Sequence, residues 1–117
     1  MWQLISGEMN MDFSDIELSV IPNFKGGEKE LRAKMFFDGT NRIMKGCLIP
    51  GASIGMHTHE GSCEVIFITS GCGHVIFDGE KSPVREGICH YCPEGHTHSL
   101  INDSDADLEF LAVVPKQ

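Results

Sequence analysis

Histidines and one carboxylate are the side chains whose spacing in this sequence could do chemistry. His57 and His59 are separated by one residue, and Glu64 follows the turn-forming residues 60–62. In an extended chain, side chains two apart point to the same face, so both imidazoles can enter one cavity. Glu64 opens the next apolar stretch, and His98 opens a later one behind the chain-breaking residues 93–95. These four side chains are candidate ligands of a single metal ion.

The candidate ligands form a nitrogen and oxygen donor set without a thiolate. Such a set suits divalent iron, manganese, nickel, cobalt, copper or zinc. Four protein ligands can complete a tetrahedral zinc site, or they can leave two octahedral positions for water, substrate or dioxygen. The spacing alone leaves the choice open, and isolated His-x-His pairs also arise by chance.

Two further pairs could compete for the role of metal ligand. His96 forms a second His-x-His pair with His98, so it is an alternative ligand or a hydrogen-bond partner of one. Cys89 and Cys92 have the spacing of a zinc or redox pair, but residues three apart in a strand face opposite sides. We therefore expect no thiol site at these cysteines.

Four other polar side chains could approach a substrate. Each of them lies more often on the surface or in the wall of a cavity than in a catalytic role. The sequence does not decide which of them contacts a substrate: Arg42, Lys45, His74 or Tyr91.

The elements that would position these residues are short strands. From about Ile16 onward, β-branched and aromatic runs are separated by Gly, Pro, Asn and Asp at spacings of roughly 8 to 12 residues, which is typical of an all-β sandwich or barrel. Residues 38–41 and 70–73 are predicted hairpin turns, and residues 16–20 alternate like an edge strand or a segment that contacts a partner subunit. The predicted strands are residues 32–37, 42–49, 64–69, 74–77, 88–92, 98–102 and 108–114.

The strand pattern also predicts which side chains point inward. If Glu64 is a ligand, then Ile66 and Ile68 share its inward face, which predicts an apolar cavity beyond the metal. The aromatic residues expected in the core are Phe36, Phe37, Phe67, Phe77 and Phe110.

Length and charge limit the classes of function. A chain of 117 residues suits one domain, which we divide into an N-terminal extension, residues 1–30, and a barrel, residues 31–117. The formal charge of −8 disfavours nucleic acid and anionic membranes as partners. The start of the chain does not resemble a signal peptide, and five cysteines cannot all pair within one chain, so we expect reduced thiols and a cytoplasmic location.

The spacing of the candidate ligands resembles the two-part signature of the cupin superfamily. Its first motif is Gly, five residues, His-x-His, three or four residues, Glu, six residues, Gly, and its second is Gly, five residues, Pro-x-Gly, two residues, His, three residues, Asn. The resemblance implies a double-stranded β-helix, or jelly roll, in which all four ligand positions face the barrel interior. The matching residues are Gly51, His57, His59, Glu64, Gly71, Gly87, Pro93, Gly95, His98 and Asn102.

The resemblance does not select a function, because cupins include enzymes, regulators and storage proteins. The leading hypothesis is a metal-dependent enzyme acting on a small organic molecule, as a dioxygenase or as a sugar isomerase or lyase. The alternatives are a non-catalytic binding or sensing module and a storage barrel. We also expect a homodimer, because Trp2, Leu4, Ile5 and Phe13 need cover.

Overall fold

The computed structural model describes residues 9–117, and this part of the chain is built almost entirely from strands. The single-turn 3-10 helices Phe13–Asp15 and Phe24–Gly26 are the helical segments of the described part. The prediction of an all-β fold is therefore confirmed. The strands are β1 (Ser19–Pro22), β2 (Glu30–Phe37), β3 (Arg42–Leu48), β4 (Ser53–Thr58), β5 (Glu64–Ser70), β6 (Cys72–Phe77), β7 (Glu80–Arg85), β8 (Cys89–Cys92), β9 (Thr97–Ile101) and β10 (Leu108–Val114).

The strands form two antiparallel sheets that enclose one core. The six-stranded sheet has the order β1-β2-β3-β10-β5-β8, and the four-stranded sheet has the order β4-β9-β6-β7. Alternate residues of each strand point between the sheets, as the burial of Glu64, Ile66 and Ile68 on β5 shows. These three side chains thus share the inward face, as predicted. The buried apolar cluster comprises Leu31, Ala33, Met44, Leu48, Ala52, Ile54, Ile66, Ile68, Val75, Val84, Leu100, Leu108, Phe110 and Ala112.

The first predicted hairpin is confirmed. Strands β2 and β3 pair antiparallel from Leu31 with Leu48 to Phe37 with Arg42. In the turn, Oδ1 of Asp38 accepts hydrogen bonds from two backbone N–H groups, those of residues 40 and 41. The Asp side chain thereby stabilises the turn that the Asp-Gly sequence predicted.

The second predicted hairpin is wrong. Strand β5 pairs with β10 and β8 in the six-stranded sheet, whereas β6 pairs with β7 and β9 in the other sheet. Gly71 lies between them with φ +84°, and a Cβ there would be 2.3 Å from the carbonyl oxygen of Asp107. The chain therefore changes sheets at this glycine, because only a residue without a side chain allows such a close approach.

Strand β7 was missing from the sequence prediction. It is joined to β6 through Asp78 and Gly79, which have φ values of +48° and +86° and form the kind of two-residue turn that favours a hairpin. Pro83 lies within β7, and this is compatible with pairing because β7 is at the edge of its sheet. Because β7 contains a proline and its side chains are mostly exposed, it lacks the alternation of apolar and polar residues by which strands are recognised in a sequence.

The N-terminal part of the described chain connects the two sheets at the end where the candidate ligands lie. Strand β1 is an edge strand that pairs with β2, and it overlaps the predicted strand, residues 16–20, at Ser19 and Val20. The following segment runs beside β4, where the backbone N–H of Ser53 donates to the carbonyl of Glu28. A Cβ on Gly55 would be 2.1 Å from the carbonyl oxygen of Lys25. The close backbone packing places the 3-10 helix Phe24–Gly26 next to the barrel mouth.

The core prediction for aromatic residues is confirmed only in part. Phe110 is fully buried, whereas Phe37 and Phe67 are 55% and 46% exposed and were wrongly assigned to the core. Phe67 alternates with inward-facing neighbours and points outward, and Phe37 lies at the last position of β2. Phe36 and Phe77 are half-buried.

Candidate metal centre

The four candidate ligands lie on three segments that meet inside the barrel. His57 is near the end of β4 and pairs in register with His98 on the adjacent β9. His59 follows the end of β4, and its backbone N–H donates to the carbonyl of His96. Glu64 is the first residue of β5, in the opposite sheet. The structure therefore brings together the side chains that the sequence selected.

Three nitrogen atoms and one carboxylate oxygen of these residues lie within 4.8 Å of one another. Oε1 of Glu64 is 3.0 Å from Nε2 of His59, 2.9 Å from Nε2 of His98 and 3.8 Å from Nε2 of His57. The Nε2 atoms of His59 and His98 are 3.0 Å apart. This cluster could hold a metal ion.

Burial and hydrogen bonding compete in setting the charge of Glu64. Burial alone raises the pKa of its carboxyl group, but the three imidazoles beside it, those of His57, His59 and His98, outweigh that effect and hold the pKa well below its usual range. Glu64 is therefore an anion at neutral pH, which is the state that a metal ligand requires.

Two of the imidazoles are oriented by neighbours close in sequence. Nδ1 of His57 donates to the carbonyl oxygen of Gly55 at 2.7 Å, which requires the proton on Nδ1 and leaves Nε2 free. Nδ1 of His59 is 3.1 Å from Oγ of Ser62. Both rings thus turn Nε2 toward Glu64, as metal-binding histidines do when a second hydrogen bond holds them.

The third imidazole is oriented by His90, which the sequence interpretation missed. Nδ1 of His98 is 3.0 Å from Nε2 of His90, and the two rings stack with centroids 5.2 Å apart. Burial, followed by the proximity of His98, lowers the pKa of His90. The signal in the sequence that could have identified His90 was a histidine at an inward-facing position of β8. That position becomes evident only from the register of β8 against β5, in which His90 is paired with Ile66.

A pocket of about 470 Å³ reaches the cluster at His57, His59 and Glu64. The volume is suitable for a small organic molecule. The sequence predicted that Ile66 and Ile68 would form the apolar wall of this cavity. In the structure both residues pack in the core and do not line the pocket. The other residues that line it are Phe24, Lys25, Met35, Arg42, Met44, Ile54, Thr58, Glu60, Ser62 and Val114.

Of the four polar side chains that could approach a substrate, the structure places Arg42 in this pocket. Its guanidinium carbon lies 4.8 Å from the centre of the Phe37 ring. His74 instead lines a separate pocket and contacts Asp103 at 2.9 Å. Lys45 and Tyr91 are exposed residues outside both pocket linings.

His96 and the cysteine pair lie outside the cluster. Nδ1 of His96 is 2.5 Å from Oδ2 of Asp78, and both side chains are 44% exposed. Cys89 is exposed and Cys92 is buried, so the pair points to opposite sides as predicted. Burial, followed by the charge of Glu64, raises the pKa of Cys92 to about 11. Its thiol is therefore protonated at neutral pH and is a poor metal ligand.

Comparison with known proteins agrees with the fold and with the motif spacing. Residues 44–114 match the family model of the cupin domain. The chain belongs to the cupin family. This cupin is 33% identical over 107 residues to the oxalate-binding protein of Thermotoga maritima, covering 86% of the present chain and 88% of that relative.

Solved structures show the same barrel. A predicted oxalate decarboxylase from Thermotoga maritima superposes on this cupin with a TM-score of 0.87 at 31% identity, covering 93% of this chain and all of that one (100%). A cupin-superfamily sugar phosphate isomerase from Silicibacter pomeroyi matches with a TM-score of 0.74 at 24% identity, covering 93% and 76% of the two chains. The second likeness shows the fold alone. No helix in residues 9–117 is long and apolar enough to cross a membrane.

Proposed function

We propose that this cupin holds one divalent transition-metal ion between His57, His59, Glu64 and His98, and binds a small carboxylate anion such as oxalate at that ion. The observation that carries the proposal is the convergence of three imidazole nitrogens and one carboxylate oxygen at the wall of a pocket. An ion held there would act as a Lewis acid toward the bound anion.

The separations of the ligand atoms support this proposal. Two ligands bonded to an ion at about 2.1 Å and at right angles lie about 3.0 Å apart. Oε1 of Glu64 and the Nε2 atoms of His59 and His98 are separated pairwise by 3.0, 2.9 and 3.0 Å. Three adjacent positions of an octahedral ion fit these distances. His57, whose Nε2 lies 3.8 Å from Oε1 of Glu64, would be the fourth ligand, and an ion that takes more than four ligands would have room for a small anion.

Local charge favours an anionic ligand. A divalent ion with one carboxylate and three neutral imidazoles is a net positive centre, and among the other charged side chains that line the pocket Lys25 and Arg42 outnumber Glu60. The chain as a whole carries a formal charge of −8, so these cations are what would attract a small anion locally. The similarity to a protein named for oxalate binding supports the choice of oxalate as the first ligand to test.

Catalytic turnover is a second candidate. Glu60 lines the pocket as a carboxyl group outside the ligand cluster, and it could exchange a proton with a bound molecule. Turnover would be detected by incubating the metal-loaded protein with oxalate, with and without dioxygen, and measuring oxalate loss. Binding without loss in either atmosphere supports the non-catalytic module, and loss that Glu60→Gln abolishes supports an enzyme.

The metal-binding part is tested by titrating chelator-treated protein with Mn²⁺, Co²⁺ and Zn²⁺. We expect one tightly bound ion per chain. His59→Ala should lower the metal affinity far more than His96→Ala, because only His59 belongs to the cluster. Equal losses in the two variants would show that the wrong histidine was chosen.

The anion-binding part is tested by titrating oxalate into metal-loaded and metal-free protein. We expect binding only with metal. Arg42→Gln should weaken it about tenfold or more, since a hydrogen bond to a charged group contributes roughly 1.5–3 kcal/mol. Lys45→Gln is the matched control, because this substitution removes the same charge from a residue that does not line the pocket. Equal affinity of the metal-free protein for oxalate would refute binding at the metal.

A further inference from the structure

His90 is a polar side chain at an inward-facing position of β8. It pairs in register with the buried Ile66 of β5, and its ring meets the edge of Phe77 with centroids 6.0 Å apart. The side chain is half-buried, so it loses part of its contact with water and a protein partner compensates for the loss. That partner is His98, at 3.0 Å.

The direction of this hydrogen bond follows from the position of His98. Nε2 of His98 faces Glu64 and His59, so it is the nitrogen that can reach an ion. A neutral imidazole with a free Nε2 carries its proton on Nδ1. Nδ1 of His98 must then donate, and Nε2 of His90 must accept, which places the proton of His90 on its own Nδ1.

We propose that His90 is a positioning residue of the metal centre: by accepting the Nδ1 proton of His98, it holds that ring in the tautomer and orientation that turn Nε2 toward the ion. The inference rests on the proposed function, since it assumes that His98 is a ligand. His57 and His59 have partners within three residues in sequence. His98 depends on β8, which belongs to the other sheet. His90 therefore links the ligand on β9 to the opposite sheet.

The proposal is tested by two substitutions that separate hydrogen bonding from packing. His90→Phe keeps an aromatic ring but removes the acceptor, and His90→Gln supplies an amide oxygen that can accept the same proton. We expect His90→Phe to weaken Zn²⁺ or Co²⁺ binding by about 10- to 100-fold, the range found for partners of metal-bound histidines. His90→Gln should restore most of the affinity. His74→Phe, the same change at a histidine outside the cluster, should have no effect.

Each outcome of the metal titration bears on one of the two proposals. Wild-type affinity in His90→Phe would overturn the positioning role and leave the metal site standing. Failure of the wild-type protein to bind any of the metals would overturn both. Loss of binding in His90→Gln as large as in His90→Phe would indicate packing instead of hydrogen bonding, and would also refute the role.

A measurement on the unaltered protein keeps the proposal testable if His90→Phe does not fold. In the Zn²⁺-loaded protein labelled with ¹⁵N-histidine, long-range ¹H–¹⁵N correlations identify which ring nitrogen carries the proton. We expect a slowly exchanging Nδ1 proton on His98 and an unprotonated Nε2 on His90. A proton on Nε2 of His90 would refute the proposed direction of the hydrogen bond.

Discussion

At the scale of single residues, the candidate centre depends on how the charges of four side chains balance. Glu64 is stabilised as an anion by three imidazoles, and each imidazole is held at Nδ1 so that Nε2 faces the carboxylate. A metal ion would bind at the Nε2 atoms that face Glu64, and a proton can occupy the same atoms when the imidazoles become charged. Metal binding and protonation must therefore compete at these atoms.

That competition predicts how metal-linked stability depends on pH. Imidazoles bind metal only when neutral, and free histidine titrates near pH ~6.5. The stabilisation by metal should be fully present above this range and should fade as the pH falls through about 6. The lowered pKa of Glu64 affects stability at more acidic pH. Its contribution is fully present above the pKa of the carboxyl group in the unfolded chain, about 4.3, and is lost as the pH falls from there toward the lower pKa of the folded state.

The measurement is a series of melting curves from about pH 8 to about pH 5, with saturating metal and with chelator, which brackets the titration of histidine. The gap between the two melting temperatures should close on acidification. The chelated protein is the control for the titration of its other groups. A gap that stays constant over the whole range would mean that these histidines do not hold the ion.

At the scale of elements, the end of β9 is joined to two other segments by one buried amide. Nδ2 of Asn102 donates to the carbonyl oxygens of Leu48, at the end of β3, and Ala106, before β10. Its Oδ1 accepts from the backbone N–H of Ser104. The asparagine that completes the second cupin motif therefore has a structural role. It closes the turn that follows the strand carrying His98.

Asn102→Ala should lower the free energy of unfolding by about 2 kcal/mol or more, because it removes the buried hydrogen bond to the carbonyl oxygen of Leu48 and the other hydrogen bonds of the amide. The change should be measured by urea unfolding with chelator present, so that metal binding does not contribute. Asn41→Ala is the matched control, since its Oδ1 accepts a single exposed hydrogen bond from the backbone of Lys116. Equal destabilisation by the two substitutions would contradict the assigned role.

At the scale of the whole molecule, the outer face of the six-stranded sheet carries one continuous apolar row. One row of outward residues runs in register across five strands, from β2 through β3, β10 and β5 to β8. Tyr91 at the end of the row is 54% exposed, and Phe67 beside it is 46% exposed. An apolar face of this kind is typical of a contact between subunits. The row comprises Phe36, Ile43, Val113, Val65 and Tyr91.

The homodimer therefore stays a prediction, now with a surface to test. Trp2, Leu4 and Ile5, on which it was first based, lie outside the described residues, and Phe13 is half-buried. Light scattering at micromolar concentration should report twice the chain mass of 12.9 kDa. Tyr91→Lys should shift the mass toward that of one chain, because an unpaired charge in an apolar contact is costly.

Ser82→Lys adds the same charge to exposed β7 in the other sheet and should leave the dimer intact. A wild-type monomer, or a dimer unaffected by Tyr91→Lys, would count against this surface.

The boundary of the N-terminal extension at residue 30 likewise stays a prediction.

The sequence by itself determined what depends on local spacing. Runs of β-branched and aromatic residues between turn-forming residues predicted β2, β3, β5, β6, β8, β9 and β10, because such a run is visible within a few residues. The Asp-Gly turn after Phe37 was predictable for the same reason. Residue type and spacing made His57, His59, Glu64 and His98 candidate ligands, and the resemblance to the cupin signature selected His98 over His96. The structure brings the four side chains together.

Only the tertiary structure decided which strands pair and what lies across the barrel. Strands β5 and β6 are neighbours in sequence, yet they belong to different sheets because Gly71 permits a turn that no local pattern predicts. The contact between His90 and His98 depends in the same way on which strands meet across the barrel. The outward position of Phe67, by contrast, already follows from the inward face assigned to Glu64, Ile66 and Ile68. Local periodicity shows that a residue is on one of two faces, but the pairing of strands decides which face is inside.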